Sequence, residues 1–324
     1  MSKINVAILR GGPSSEYDVS LKTGATVLEH LPKEKYNPTD ILISKEGVWH
    51  MRGVPITPAQ ALHNVDVVFN AMHGEYGEDG TVQKILDDHG VPYTGSGVFA
   101  SAIAMDKAHT KNAVGELPNI KTHQHVTFKP DSVYDLESEA ERLFNAFPAP
   151  YLLKPLRGGS SLGVQLIQTV RELPKALEQM LKIGPVIAEE YIKGREATCG
   201  VIENLRDQEL YALPPVEIRV PEAHDFWDYE AKYDSSVEEI CPGNFTEQEK
   251  QIIQEASIEV HKRLGLRHYS RSDFIVTPHG IYFLEVNTLP GLTPTSLLPN
   301  ATKEIGLEFD ELIDHLITQA LASK

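Results

Sequence analysis

Residues 270–299 read SRSDFIVTPHGIYFLEVNTLPGLTPTSLLP. Two apolar runs flank a turn at Pro278, His279 and Gly280, a pattern that predicts a β-hairpin. Arg271, Asp273, Glu285 and Asn287 are set into these runs. Side chains alternate faces along a strand, so Arg271 shares a face with Asp273, and Glu285 with Asn287. A three-residue loop with Gly280 left-handed would place Asp273 opposite Glu285 and Arg271 opposite Asn287. Carboxylates that close repel unless a cation lies between them. An all-oxygen donor set favours Mg²⁺, which binds one or two carboxylates together with substrate phosphates. The plain alternative is a surface hairpin with ordinary ion pairs, but Asp and Asn are disfavoured inside strands.

Upstream, Ile4 to Leu9 is a near-continuous apolar run ending in Arg10-Gly11-Gly12-Pro13-Ser14-Ser15-Glu16, with a helical pattern from Val19 to Leu31. Val65 to Asn70 leads into a second glycine loop, HGEYGEDG at 73–80, and another helix follows it. Strand, glycine loop and helix in succession predict a parallel α/β sheet, whose ligands bind at the carboxyl ends of the strands. Neither loop carries the GxGxxG or GxxxxGK[ST] pattern. Further on, Val98 to Lys111 reads as a helix, Tyr151 to Lys154 and Val186 to Ile192 as strands, and Phe309 to Leu321 as a closing amphipathic helix. Thr246 and Glu249 form a capping box ahead of a helix that Gly265 stops.

The chain has 324 residues, enough for two or three domains, with 41% hydrophobic and 23% charged residues. Its net charge of −16 argues against nucleic acid or an anionic membrane as partner. No apolar run is long enough for a membrane span. Cys199 and Cys241 are the only cysteines, which excludes a disulfide framework and fits a reducing cytoplasm.

Three more clusters carry chemistry. Lys154-Pro155 precedes RGGSSLG at 157–163, where small residues, Ser160 and Ser161 suit a loop closing over phosphate; a flexible linker is the alternative. Glu189, Glu190, Tyr191, Ile192 and Glu196 suit a strand edge that meets a nucleotide base and its ribose, with a solvated acidic edge as the alternative. In the long polar segment from Pro221 to Gly243, Asp228-Tyr229-Glu230-Ala231-Lys232-Tyr233 reads as a lid or as a surface loop. Glu16, just before a helix, suits either capping or catalysis, and His73 either a turn or a site.

Eight blocks, in order, resemble the D-alanine–D-alanine ligase family of the ATP-grasp superfamily: GGPSSEYDVSL, HGEYGEDGTVQ, ASAIAMDK, KPLRGGSSLG, EEYIKGRE, DYEAKY, SRSDF and LEVNTLPGLTPTSL. The resemblance spans Ile4 to about Leu316. It implies an α/β (α+β) ATP-grasp protein with an N-terminal α/β domain at 1–97, a central lid domain at 98–195 and a C-terminal domain at 196–324. The implied reaction is ATP-dependent joining of two D-alanines through an acyl phosphate, for peptidoglycan precursors. A relative that joins D-alanine to D-lactate or D-serine, or a non-catalytic ATP-binding regulator, is the alternative.

By the same resemblance, Asp273, Glu285 and Asn287 ligate two Mg²⁺ ions, with Mn²⁺ as the substitute. Lys107 and Lys154 bind phosphate, with Ser161 and Lys232 also at the nucleotide, while Glu189, Glu190, Ile192 and Glu196 contact adenine and ribose. Arg271 and the Gly291 N–H stabilise an oxyanion. Glu16 holds the first D-alanine's ammonium near His73, and Ser160 and Tyr233 join Glu16 to lock the lid. Ser296 and Leu297 take the second carboxylate. A homodimer is the common family state. Trp227 and Gly243 depart from the family's more usual Tyr and Ala, and Tyr233 favours an amine nucleophile.

Overall fold

Each of three sheets grows from a run that the sequence marks as strand. The computed structural model describes residues 3–115, 117–130, 132, 135–159, 163–220 and 237–323. The expected roles of Ser160, Ser161, Trp227, Lys232 and Tyr233 lie outside the described residues.

The N-terminal unit runs β1 (Ile4–Gly11), α1 (Tyr17–His30), β2 (Tyr36–Ile43), β3 (Trp49–Met51), β4 (Val54–Ile56), α2 (Pro58–Ala61), β5 (Val67–Asn70) and α3 (Thr81–Asp88). Its sheet has the order β4-β3-β2-β1-β5, with β1 parallel to β2 and β5. Val6 to Leu9 are fully buried, as an apolar run in a parallel strand requires. Both glycine loops therefore leave the carboxyl ends of adjacent strands, β1 and β5.

Next come α4 (Val98–Met105), α5 (Lys107–Val114) and β6 (Ile120–Thr122). The single helix expected over 98–111 is broken at Asp106, whose side chain accepts from the His109 N–H and caps α5. β7 (His125–Phe128), α6 (Leu136–Ala146), β8 (Tyr151–Pro155), β9 (Gln165–Ile167), α7 (Leu173–Leu181) and β10 (Val186–Glu190) make the central unit. Its antiparallel sheet has the order β7-β10-β8-β9.

The remaining elements are β11 (Arg195–Leu205), β12 (Gln208–Ala212), β13 (Val216–Arg219), β14 (Glu238–Ile240), α8 (Glu247–Arg263), β15 (Tyr269–Thr277), β16 (Gly280–Asn287), α9 (Leu297–Glu304) and α10 (Phe309–Ala322). The third sheet has the order β14-β13-β11-β15-β16-β6, with β12 on β11. Thr246 and Glu249 form the expected capping box on α8. Residues 98–122, placed with the central domain on sequence, pack instead with this sheet. β6 pairs with β16, and Ala100, Ala104, Val114 and Ile120 share a core with Phe274 and Phe283. A central sheet of its own starts only at His125.

The hairpin of β15 and β16 pairs Arg271 with Asn287 and Asp273 with Glu285, but not by way of the expected turn. Thr277 pairs with Gly280, so the loop is the two residues Pro278 and His279. A bulge between Asp273 and Phe274 then absorbs the missing residue, because Phe274 faces Phe283 and Leu284 is the extra one. One residue fewer in the turn and one more in the strand cancel at the site. Among the described residues, no helix is long and apolar enough to cross a membrane.

Candidate active site

Arg271, Asp273, Glu285, Asn287 and Lys107 lie together around the hairpin of β15 and β16. Arg271 donates from Nε and Nη2 to the two oxygens of Asp273, each at 2.9 Å. Thr198 Oγ1 donates to Asp273 Oδ1 at 2.5 Å, and Asn287 Nδ2 to Oδ2 at 3.2 Å. Across the pair, Glu285 lies 3.8 Å from the Lys107 ammonium. Burial works to lower the Arg271 pKa, but Asp273, Glu285 and Glu78 outweigh it and hold the value above normal.

This donor set suits a hard divalent cation, since two carboxylates and an amide stand on paired positions and offer oxygen alone. Asp273 accepts four bonds, one for each lone-pair direction. Joining a cation's shell therefore means releasing a donor. Asn287 suits that exchange, because half a turn of its amide presents oxygen where nitrogen now stands.

A second charge group lies behind the first. The carboxylate of Glu189 is fully buried, 3.2 Å from the Lys111 ammonium and 2.8 Å from that of Lys154. Burial pushes the Glu189 pKa upward, yet the two lysines outweigh it and keep the carboxylate ionised well below the usual range. The two oxygens of its side chain thus hold lysines. Glu196, half-buried on β11 opposite Ile275, remains a ribose candidate, and its charge reaches Lys154. The Glu190 backbone is also engaged: its N–H donates to Gln124 O and its carbonyl accepts from His123 Nδ1 at 3.0 Å. Ile192 is half-buried just beyond β10.

The N-terminal loops close the other side. Glu16 is the residue before α1, but its side chain makes no capping bond. Its carboxylate faces Gly74 of the loop after β5 and Gly159 after β8, for a Cβ at Gly74 would fall 2.7 Å from Glu16 Oε2 and one at Gly159 3.0 Å from it. Only residues without a side chain allow this approach. Lys107 Nζ donates to Gly158 O at 2.6 Å and so anchors the same loop. A cleft of about 30 Å³ remains, lined by Glu78, Lys107, Gly158, Gly159, Glu285 and Asn287 among others; that is space for roughly one water.

His73 is buried, with Nδ1 3.1 Å from Leu289 O and Nε2 2.8 Å from Thr23 Oγ1. A carbonyl only accepts, so Nδ1 carries the proton and Nε2 accepts from Thr23. Burial lowers the His73 pKa, which keeps the ring neutral despite Glu16 nearby. Glu78 accepts from Gly74 N at 2.7 Å and from Leu289 N at 3.0 Å. Burial first, and then the charge of Glu16, push its pKa up to about 8. On the far side, Ser296 precedes α9 and bonds to Thr293, with its Oγ 3.0 Å from where a Gly291 Cβ would stand. Leu297 opens that helix, so its N–H has no partner within the helix.

Glu78, Lys111 and Thr198 are site residues that sequence reasoning missed. Lys111 had a readable signal, since it stands four residues after Lys107 and therefore on the same helix face. Glu78 lay inside HGEYGEDG, which reads as a loop made for backbone geometry and hides an acceptor.

Comparison with known proteins shows the family. The model of the D-ala D-ala ligase C-terminus matches residues 118–318, and that of the N-terminus matches 5–60 and 52–96. A D-alanine–D-alanine ligase of Desulfotalea psychrophila is 39% identical, covering 98% of this chain and 95% of its own length. A D-alanine–D-alanine ligase of Bacillus anthracis, solved in complex with ATP, superimposes with a TM-score of 0.79 at 30% identity over 98% of both chains. The VanG D-Ala:D-Ser ligase of Enterococcus faecalis gives 0.82 at 32% identity, over 98% of this chain and all of that one. Ordered motifs, sheet architecture and full-length likeness agree, and the chain belongs to the D-alanine–D-alanine ligase family, whose members are ATP-grasp enzymes.

Proposed function

We propose that this chain joins two D-alanines into D-alanyl-D-alanine at the expense of ATP, releasing ADP and phosphate. The observation that carries the reading is the pairing of Asp273 with Glu285 beside Arg271 and Lys107. In the first step an oxygen of the first D-alanine's carboxylate bonds to the γ-phosphorus and ADP leaves. The amine of the second D-alanine then attacks the acyl carbon, and the tetrahedral intermediate expels phosphate.

Asp273, Glu285 and Asn287 would hold two Mg²⁺ ions, or Mn²⁺, whose charge offsets that of the phosphates. Lys107 and Lys154 act as point charges for phosphate oxygens, and Glu189 keeps Lys154 charged and in place. Glu196 and the strand edge at Glu190 to Ile192 receive the nucleoside. Glu16 takes the first D-alanine's ammonium, beside a neutral His73 that cannot repel it. Arg271 and the Gly291 N–H face the oxyanion that develops on the acyl group. Ser296 and the Leu297 N–H at the start of α9 receive the second carboxylate. Ser160, Ser161, Lys232 and Tyr233 enter through the family resemblance, as lid and phosphate contacts. A homodimer, and a cytoplasmic place in peptidoglycan precursor synthesis, belong to the same reading.

Purified chain with ATP, Mg²⁺ and D-alanine tests it, with phosphate release and dipeptide mass as readouts. D-serine and D-lactate are added in separate arms, the first because of the E. faecalis relative. Phosphate release that requires either additive would overturn the assignment of the second substrate.

A further inference from the structure

We infer that Lys111 is a positioning residue for the divalent-cation site: its ammonium pins the bulged Leu284 and so keeps Glu285 and Asn287 on the face that meets Asp273. The inference rests on the ligand reading above and adds a residue that touches neither cation nor substrate.

The argument starts from strand parity. Ile281 and Phe283 are 3% and 0% exposed and point into the core. In an unbroken strand Glu285 and Asn287 would share that face, because side chains two apart lie together. A one-residue slip would bury a carboxylate and an amide among phenylalanines and turn Val286 outward. Instead Leu284 and Glu285 are both half-buried, and Val286 is back in the core at 6%. The parity switch occurs at the bulge, where Leu284 has no partner in the ladder.

Such a residue needs a partner for its backbone, and Lys111 supplies one. Its Nζ donates to Leu284 O at 2.7 Å from α5, which packs against β16. The Lys111 side chain is only 1% exposed. A buried ammonium is costly unless paired, and Glu189 pairs it while also holding Lys154. A continuous path thus runs from a phosphate-binding lysine through Glu189 and Lys111 to the residue before Glu285. The rival role for Lys111 is to neutralise Glu189 and nothing more.

Cation titration separates the two. Mn²⁺ binding is followed by electron paramagnetic resonance in the presence of a non-hydrolysable ATP analogue, for Lys111→Met, Lys111→Arg and Glu285→Gln. Lys111→Met should weaken Mn²⁺ binding by about 10- to 100-fold, the range for residues that orient metal ligands. Lys111→Arg, which keeps a cationic donor, should recover most of that loss. Lower melting temperature with unchanged Mn²⁺ affinity in Lys111→Met would overturn the inference while Glu285→Gln still weakens binding. If Glu285→Gln also binds Mn²⁺ as the parent does, the ligand reading itself fails. Should Lys111→Met not fold, the unchanged protein decides by ¹⁵N-lysine resonance. The slowly exchanging Lys111 ammonium signal should move when Mg²⁺ and the analogue are added, and an unmoved signal overturns the coupling.

Discussion

The carboxylate of Glu78 accepts the amide N–H of Leu289 at 3.0 Å, while neighbouring His73 donates to the carbonyl of that same residue. One loop of the N-terminal unit thereby holds both polar groups of a single peptide residue in the segment after β16. Leu289 stands two residues from Asn287 and two from Gly291, so this grip fixes the backbone between the proposed cation ligand on one side and the proposed oxyanion donor on the other. Glu78→Gln keeps the shape but turns an N–H group toward one backbone donor. Leaving a buried backbone donor without an acceptor costs about 1–3 kcal/mol. We expect kcat to fall by roughly tenfold or more, with KM for ATP little changed. Steady-state kinetics at saturating D-alanine check this, and an unaltered kcat would show that the grip is not needed.

Arg271 makes two parallel bonds to Asp273, a geometry that lysine cannot reproduce. Arg271→Lys keeps the charge and loses the fork, and with it the proposed alignment of the remaining N–H donors toward the developing oxyanion. Removing one oxyanion donor costs about 10²- to 10³-fold in kcat. A loss of that order is expected here. A drop of only a few-fold in single-turnover dipeptide formation would remove Arg271 from the oxyanion role.

Much of this site was readable as sequence, because its parts are short polar insertions in apolar strands or glycine loops at strand ends. The facing of Asp273 and Glu285 was reached through the wrong turn: a two-residue loop and a bulge at Leu284 give the same register as a three-residue loop and a straight strand. Local pattern cannot tell these apart, since only α5 packing against β16 shows where the extra residue goes. The ion pairs of Glu189 were hidden for a similar reason. Its two lysine partners stand 35 and 78 residues away in the chain (189 − 154 and 189 − 111), and only the fold brings them to it. The break at Asp106 was missed because the apolar pattern runs through it and only the capping bond to His109 reveals the new helix.

Stability can be lowered without touching the site. Thr246 accepts from the Glu249 N–H at 3.2 Å, and Glu249 reaches back to the Thr246 N–H at 2.7 Å. α8 buries Ile253, Ala256 and Val260 through the register that this cap sets. Thr246→Ala should cost about 1 kcal/mol, read by chemical denaturation, while kcat and KM stay at their parent values. A kinetic change would mean that α8 reaches the site through β11 and β15.

Acid should loosen the fold through His268. Its Nδ1 accepts from the Gly95 N–H at 3.0 Å, so Nε2 carries the proton and donates to Ser323 Oγ at 3.1 Å. Burial pushes the ring down to about 4 from an ordinary 6.5. The unfolded chain takes up a proton below 6.5 that the folded protein refuses until about 4. Stability from the neutral ring is therefore complete above pH 6.5 and is lost as pH falls through this window. The loss between neutral pH and pH 4.5 is about 2 kcal/mol for this one group. His268→Asn removes the titration, and asparagine tolerates the positive φ of 66° found there. Urea denaturation at several pH values should therefore show a shallower acid slope in this variant than in the parent. Buried His123, also near 4, keeps part of the slope in both. Identical slopes would mean that folded His268 takes up its proton over the same pH range as the unfolded chain, in conflict with a Gly95 N–H aimed at its Nδ1.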